Sequence, residues 1–170
     1  MINSHRKITR TALLLSLALL FESLRFLLPV PPLFSTFIIG SLVNSCLLIA
    51  AEWIGFWPAL LICFSAPIVA YFQQLIPLPI LILPVAIGNI TYIGLYLLLQ
   101  NFNGWVAVGS AASGKALLIY FLFSWLLTFL ALPAKTAAAL MFAMSWPQLV
   151  TGILGGFLAI QISKRVEQSS

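Results

Sequence analysis

Glu22 and Arg25 stand three residues apart inside an apolar run, which puts a carboxylate and a guanidinium on one face of a helix. Charges at that depth either neutralise each other or face a cavity, where Arg25 meets an anionic or polar ligand. A second set of polar groups is uncharged. Asn44, Asn89 and Gln148 interrupt three other apolar runs; Thr91, Tyr92 and Tyr96 follow Asn89, and Trp146 precedes Gln148. Such groups commonly hydrogen-bond helix to helix. If the runs bearing Asn89, Tyr92, Trp146 and Gln148 face each other, these four instead line one pocket of aromatic walls and amide groups. That lining suits a small, planar, hydrogen-bonding molecule.

Catalysis has little to draw on. The acids are Glu22, Glu52 and Glu167, and the single histidine, His5, sits in the N-terminal tail. They form no Ser/His pair, no paired carboxylate and no His/Asp metal set. Ser113 and Lys115 have the spacing of a Ser/Lys dyad, a spacing common by chance. Cys46 and Cys63 lie deep in apolar runs and read as small packing residues. The expectation is a non-enzyme with no metal or cofactor. There is no Gly-rich loop followed by Lys-Ser or Lys-Thr, so any ATPase driving this protein is a separate chain. The basic residues are scattered over segment ends and make no stripe for nucleic acid.

The elements that must position these residues are membrane helices. Of 170 residues 62% are hydrophobic and only 6% charged, and mean hydropathy is +1.14. Apolar runs of about 20 residues match the roughly 30 Å hydrocarbon core, and their continuity speaks for helices over alternating barrel strands. Six spans are expected, at 8–28, 34–53, 58–76, 80–100, 115–132 and 145–162, in one transmembrane domain covering 1–170. The stretch 101–114 reads as a polar, small-residue connection and 133–144 as a small-residue loop. With both termini in the cytoplasm, Arg6, Lys7, Arg10, Lys115, Lys164 and Arg165 fall inside, and only Arg25 and Lys135 fall outside. The fold class is therefore all-α, polytopic, with six transmembrane helices and cytoplasmic ends. The outer connections are then 25–35, 71–79 and 133–144, and a binding surface belongs on that side. Trp53, Trp57 and Trp105 suit an inner aromatic belt and Trp146 an outer one.

Small residues recur four apart, as Ala12 and Ser16 in the first span and Gly152 and Gly156 in the last. That spacing lets another helix approach closely: within the molecule at Gly152 and Gly156, and open to a partner protein at Ala12 and Ser16.

Together these features resemble the S components, the substrate-binding membrane subunits of energy-coupling factor (ECF) transporters, over nearly the whole chain. Ala12-Leu13-Leu14-Leu15-Ser16 is similar to the family's Ala-x-x-x-Ala motif in helix one, with Ser16 where Ala is usual. The proline-rich Leu28-Pro29-Val30-Pro31-Pro32 and Leu75-Ile76-Pro77-Leu78-Pro79 match its first and third loops. Ser145-Trp146-Pro147-Gln148-Leu149-Val150-Thr151, followed by Gly155-Gly156, looks like the family's last helix. The resemblance implies capture of a vitamin or related micronutrient from outside a prokaryotic plasma membrane. It further implies docking on a transmembrane coupling protein driven by two ATPase subunits, and toppling to present the ligand inside. Asn89, Tyr92, Trp146 and Gln148 would bind substrate with Arg25 and Gln74 contributed by loops, and Ala12 and Ser16 would dock. The ligand itself stays open.

Two other functions compete. A structural scaffold of small multi-span type would bind partner proteins and no small molecule, and needs no polar cluster in its outer half. A self-sufficient channel or secondary transporter would carry intramembrane acids for ion coupling, and here Glu22 alone could serve.

Overall fold

A computed structural model of the protein describes residues 4–27 and 31–168. Leu28, Pro29 and Val30 of the first proline cluster lie outside the described residues. Among the described residues seven α-helices follow one another: α1 Ser4–Ser23, α2 Pro32–Trp53, α3 Phe56–Phe72, α4 Ile82–Leu99, α5 Gly104–Leu127, α6 Ala134–Ala143 and α7 Trp146–Gln168. Short 3-10 turns at Leu24–Phe26 and Pro79–Leu81 continue α1 and introduce α4. No strand occurs among the described residues.

Among the described residues four stretches, Leu33–Trp53, Pro79–Leu99, Gly104–Leu127 and Ala134–Gln168, are long and apolar enough to cross a membrane. The apolar α3 is shorter, at 17 residues. The outward surface carries large apolar side chains from every part of the chain, among them Leu13, Phe34, Leu61, Ile87, Phe121 and Phe157. Water does not tolerate a girdle of that extent, whereas lipid does.

Two expectations about the elements are corrected. The stretch 101–114 is not a connection: α5 starts at Gly104, and only 101–103 turn. Asn103 caps the helix, its side-chain oxygen accepting from the backbone N–H of Trp105 at 2.8 Å and of Val106 at 3.4 Å. The small residues that resembled a loop are packing surface. Ala107, Ala111 and Ala112 are buried, and Gly114 sits against Leu95 of α4. Lys115 therefore lies at the middle of α5, away from the bundle end where the basic-residue count had placed it. The stretch 133–144 is likewise helical, forming α6 ahead of α7.

The helix α7 lies between α2 and α5, α4 packs on α5 and α3, and α1 covers α2 and α3. Glycines set the closeness of the first contact. A β-carbon at Gly155 would stand 2.7 Å from the backbone oxygen of Ser41, and one at Gly152 would stand 2.8 Å from the β-carbon of Ala112. Gly156 meets Val108 in the same way. The last-helix glycines thus serve packing inside the molecule.

Candidate functional site: a one-ended polar cavity

One half of the bundle is filled. Leu47, Leu48, Ile62, Ile93, Val108 and Ala159 belong to a continuous buried cluster drawn from α2, α3, α4, α5 and α7. Beyond it, toward the end of the bundle where α1 begins and α7 ends, Glu52 accepts a hydrogen bond from Ser163 at 2.9 Å and one from Tyr96 at 3.4 Å. Trp53 donates its indole N–H to the same Ser163 hydroxyl at 3.1 Å. This network ties α2, α4 and α7 together beside a cleft lined by Glu52, Tyr96, Gln100 and Lys164.

The other half holds two smaller buried clusters, one with Ile76, Leu81 and Phe123 and one with Ile39, Val43 and Ala66, and between the helices a polar cavity. A cavity of about 180 Å³ is lined by Glu22 and Arg25 from the end of α1, Thr36 to Asn44 of α2, and Ala66 to Ala70 of α3. Leu75, Ile76, Val85 and Asn89 add the α3–α4 turn and the first half of α4. Lys115, Met144, Gln148 and Thr151 complete the wall. The late residues of α1 and α3 and the early residues of α2, α4 and α7 meet here, so these helices alternate in direction. The volume is about that of six waters. Apolar walls from Ile39, Val43, Pro67 and Val85 alternate with the polar groups.

At the deep side of this cavity stands Lys115, 3% exposed. An ammonium at mid-helix costs on the order of 2.5–3.5 kcal/mol in a membrane, so it persists only where partners hold it. Its Nζ donates to Asn44 Oδ1 at 2.6 Å and lies 5.2 Å from the centroid of the Tyr92 ring. Asn44 in turn donates to the Thr151 hydroxyl at 3.3 Å, and that hydroxyl donates to the Gln148 carbonyl at 3.2 Å. The chain of bonds joins α5, α2 and α7 around one charge. Glu22 shares the cavity wall with Arg25 and Lys115. Arg25 donates from one terminal nitrogen to Thr36 at 3.4 Å, while its buried Nε has no hydrogen-bond partner.

Asn89 has a local task as well. Pro67 in the interior of α3 has no N–H, so the Cys63 carbonyl one turn back loses its helical donor. The Asn89 side-chain amide supplies it from α4 at 3.3 Å.

Of the six residues expected at a substrate site, Arg25, Asn89 and Gln148 line this cavity. Tyr92 lies beneath Lys115, fully buried, with its hydroxyl donating to the Gly152 carbonyl. Trp146 points elsewhere. It packs on Phe37 and Phe142, at centroid distances of 5.4 and 5.7 Å, and borders an outward groove with Ser113, Leu117 and Tyr120. Gln74 is exposed in the turn after α3, at φ 62°. Ser113 faces outward while Lys115 is buried, so the two form no dyad. Ala12 and Ser16 are both exposed on α1. Sequence reasoning left out Lys115 and Thr151 and gave Asn44 only an interhelical role. The signal for Lys115 was present, since a helix extended back to Gly104 turns a boundary lysine into a mid-span one.

No family model, curated protein or solved structure matches the chain.

Proposed function

We propose that this chain is the substrate-capture subunit of an ECF-type importer, a six-span protein of a prokaryotic plasma membrane with both termini in the cytoplasm. The observation that carries the reading is a polar cavity in one half of the bundle, separated by a continuous apolar layer from the cleft around Glu52 and Ser163 at the other end. A pore needs a path through both halves. A capture subunit needs a site open to one side and a separate engine.

The alternating helix directions, together with helix length, support the reading of six crossings. At 1.5 Å per residue the 20 residues of α1 extend about 30 Å. The α1 start is basic because Arg6, Lys7 and Arg10 reach the interface there. With Lys115 removed from the count, Arg6, Lys7, Arg10, Lys164 and Arg165 still outnumber Arg25 and Lys135, which supports an outward-facing cavity. The exposed Ala12 and Ser16 leave a shallow face on α1 against which a transmembrane coupling protein, driven by two ATPases, would dock. The ligand is a vitamin or related micronutrient held among Arg25, Asn44, Asn89, Lys115 and Gln148.

The test is mass spectrometry of small molecules released by denaturing the detergent-purified protein. A near-stoichiometric organic compound supports capture. Protein that is empty after growth in rich medium moves the assignment to a structural scaffold.

A further inference from the structure

We infer that the captured molecule is a small organic monoanion whose carboxylate is met by Arg25 and balanced by Lys115; this rests on the capture reading above. The cavity wall carries two cations, Arg25 and Lys115, against one carboxylate, Glu22. One positive charge is thus left over, and with Lys115 buried and Arg25 half-buried an unbalanced charge there is costly. The polar groups reinforce the sign. The buried Nε of Arg25 is a donor without an acceptor, and the ammonium of Lys115 has three protons and one bond, to Asn44. Both groups donate only, so what they lack is an acceptor.

Glu22 narrows the choice further. Its carboxyl lines the same cavity as the two cations and can offset one of them, leaving room for a single negative charge. A dianion would place the site in excess of negative charge beside Glu22. Between the polar groups, Ile39, Val43, Pro67 and Val85 make apolar stretches of wall, which suit a compact ligand body with hydrophobic or aromatic faces. A volume of about 180 Å³ admits such a body but not an acyl chain. The same charge pattern would accept the phosphodiester of a lipid headgroup entering from the rim, and the test must separate the two.

The full-length protein in detergent is melted against a library of small water-soluble carboxylates, each paired with its own neutral carboxamide, and against phosphatidylglycerol in mixed micelles. At least one carboxylate is expected to raise the melting temperature, with its amide binding about 100-fold more weakly, a difference of ~2.8 kcal/mol. Arg25→Gln should abolish the stabilisation while leaving the melting temperature of the empty protein within a few degrees. Lys115→Met should do the same where it folds. Stabilisation by neutral members equal to that by their acids overturns the anion and leaves capture standing. Stabilisation by phosphatidylglycerol alone overturns the small-molecule source. If no member stabilises and none is released on denaturation, both this inference and the capture reading fall.

Discussion

Lys115 and Asn44, 71 positions apart in sequence, are joined by a 2.6 Å hydrogen bond at the depth of the bundle. One is the cation of α5 and the other the central amide of α2, and Asn44 passes the connection on to Thr151 of α7. Replacing Asn44 with Leu leaves the ammonium without its acceptor. The expected loss is at least roughly 1–3 kcal/mol, read as a lower melting temperature in detergent. Adding Lys115→Met should restore much of the stability, because apolar replacement of both partners removes the stranded charge. If Asn44→Leu melts like the wild type, the bond does not hold Lys115.

Asn89 compensates for Pro67, so the two positions should be coupled. Asn89→Leu strands the Cys63 carbonyl and is expected to destabilise by about 1–3 kcal/mol. In a Pro67→Ala background the helix regains its own donor, and the same substitution should cost clearly less. A double-mutant cycle on melting measures the coupling; strictly additive losses would refute the compensation.

Close packing of α7 on α2 depends on Gly155. Gly155→Ala should lower stability by roughly 1–3 kcal/mol, because the added carbon meets the Ser41 carbonyl, which has no freedom to yield. Gly94→Ala is the control. Nothing lies within 4 Å of its added carbon, and no loss is expected.

Orientation is read by labelling. Cys46 and Cys63 are buried and free, so they give little background. In intact cells a membrane-impermeant maleimide should label Lys135→Cys on α6, and Arg165→Cys on α7 only after permeabilisation. The reverse pattern would place the cavity on the cytoplasmic side.

The face of α1 carries the docking claim. Ala12→Trp together with Ser16→Trp should abolish co-purification of the coupling protein and ATPases when these are co-expressed, while folding and bound ligand are unchanged. Both side chains are exposed, so the substitutions disturb nothing inside the molecule. Unchanged co-purification would remove α1 as the docking element.

Much of this architecture was legible in the chain. The apolar runs bearing Asn44, Asn89 and Gln148 are helices, and the glycines of α7 pack inward as their spacing indicated. The stretch 101–114 misled because Gly, Ser and Ala mark both loops and tight helix contacts, and only the tertiary environment separates the two. That misreading carried Lys115 out of the bundle and hid the group around which the cavity is arranged. Trp146 and Gln148 are two residues apart, so on a helix they point to different sides; only Gln148 lines the cavity. Gln74 sits beside the right loop, yet its backbone turns it to the surface. No sequence signal tells which amide near a proline will be recruited to a carbonyl, and Asn89 is such a case.

The central claim is that one small molecule occupies a site built on Arg25 and closed toward the cytoplasm. Native mass spectrometry of the intact protein, wild type beside Arg25→Gln, tests it most directly. The account expects one small-molecule adduct on the wild type and none on a variant that elutes and melts as a folded protein. Bare spectra from both, or the same adduct on both, would contradict it.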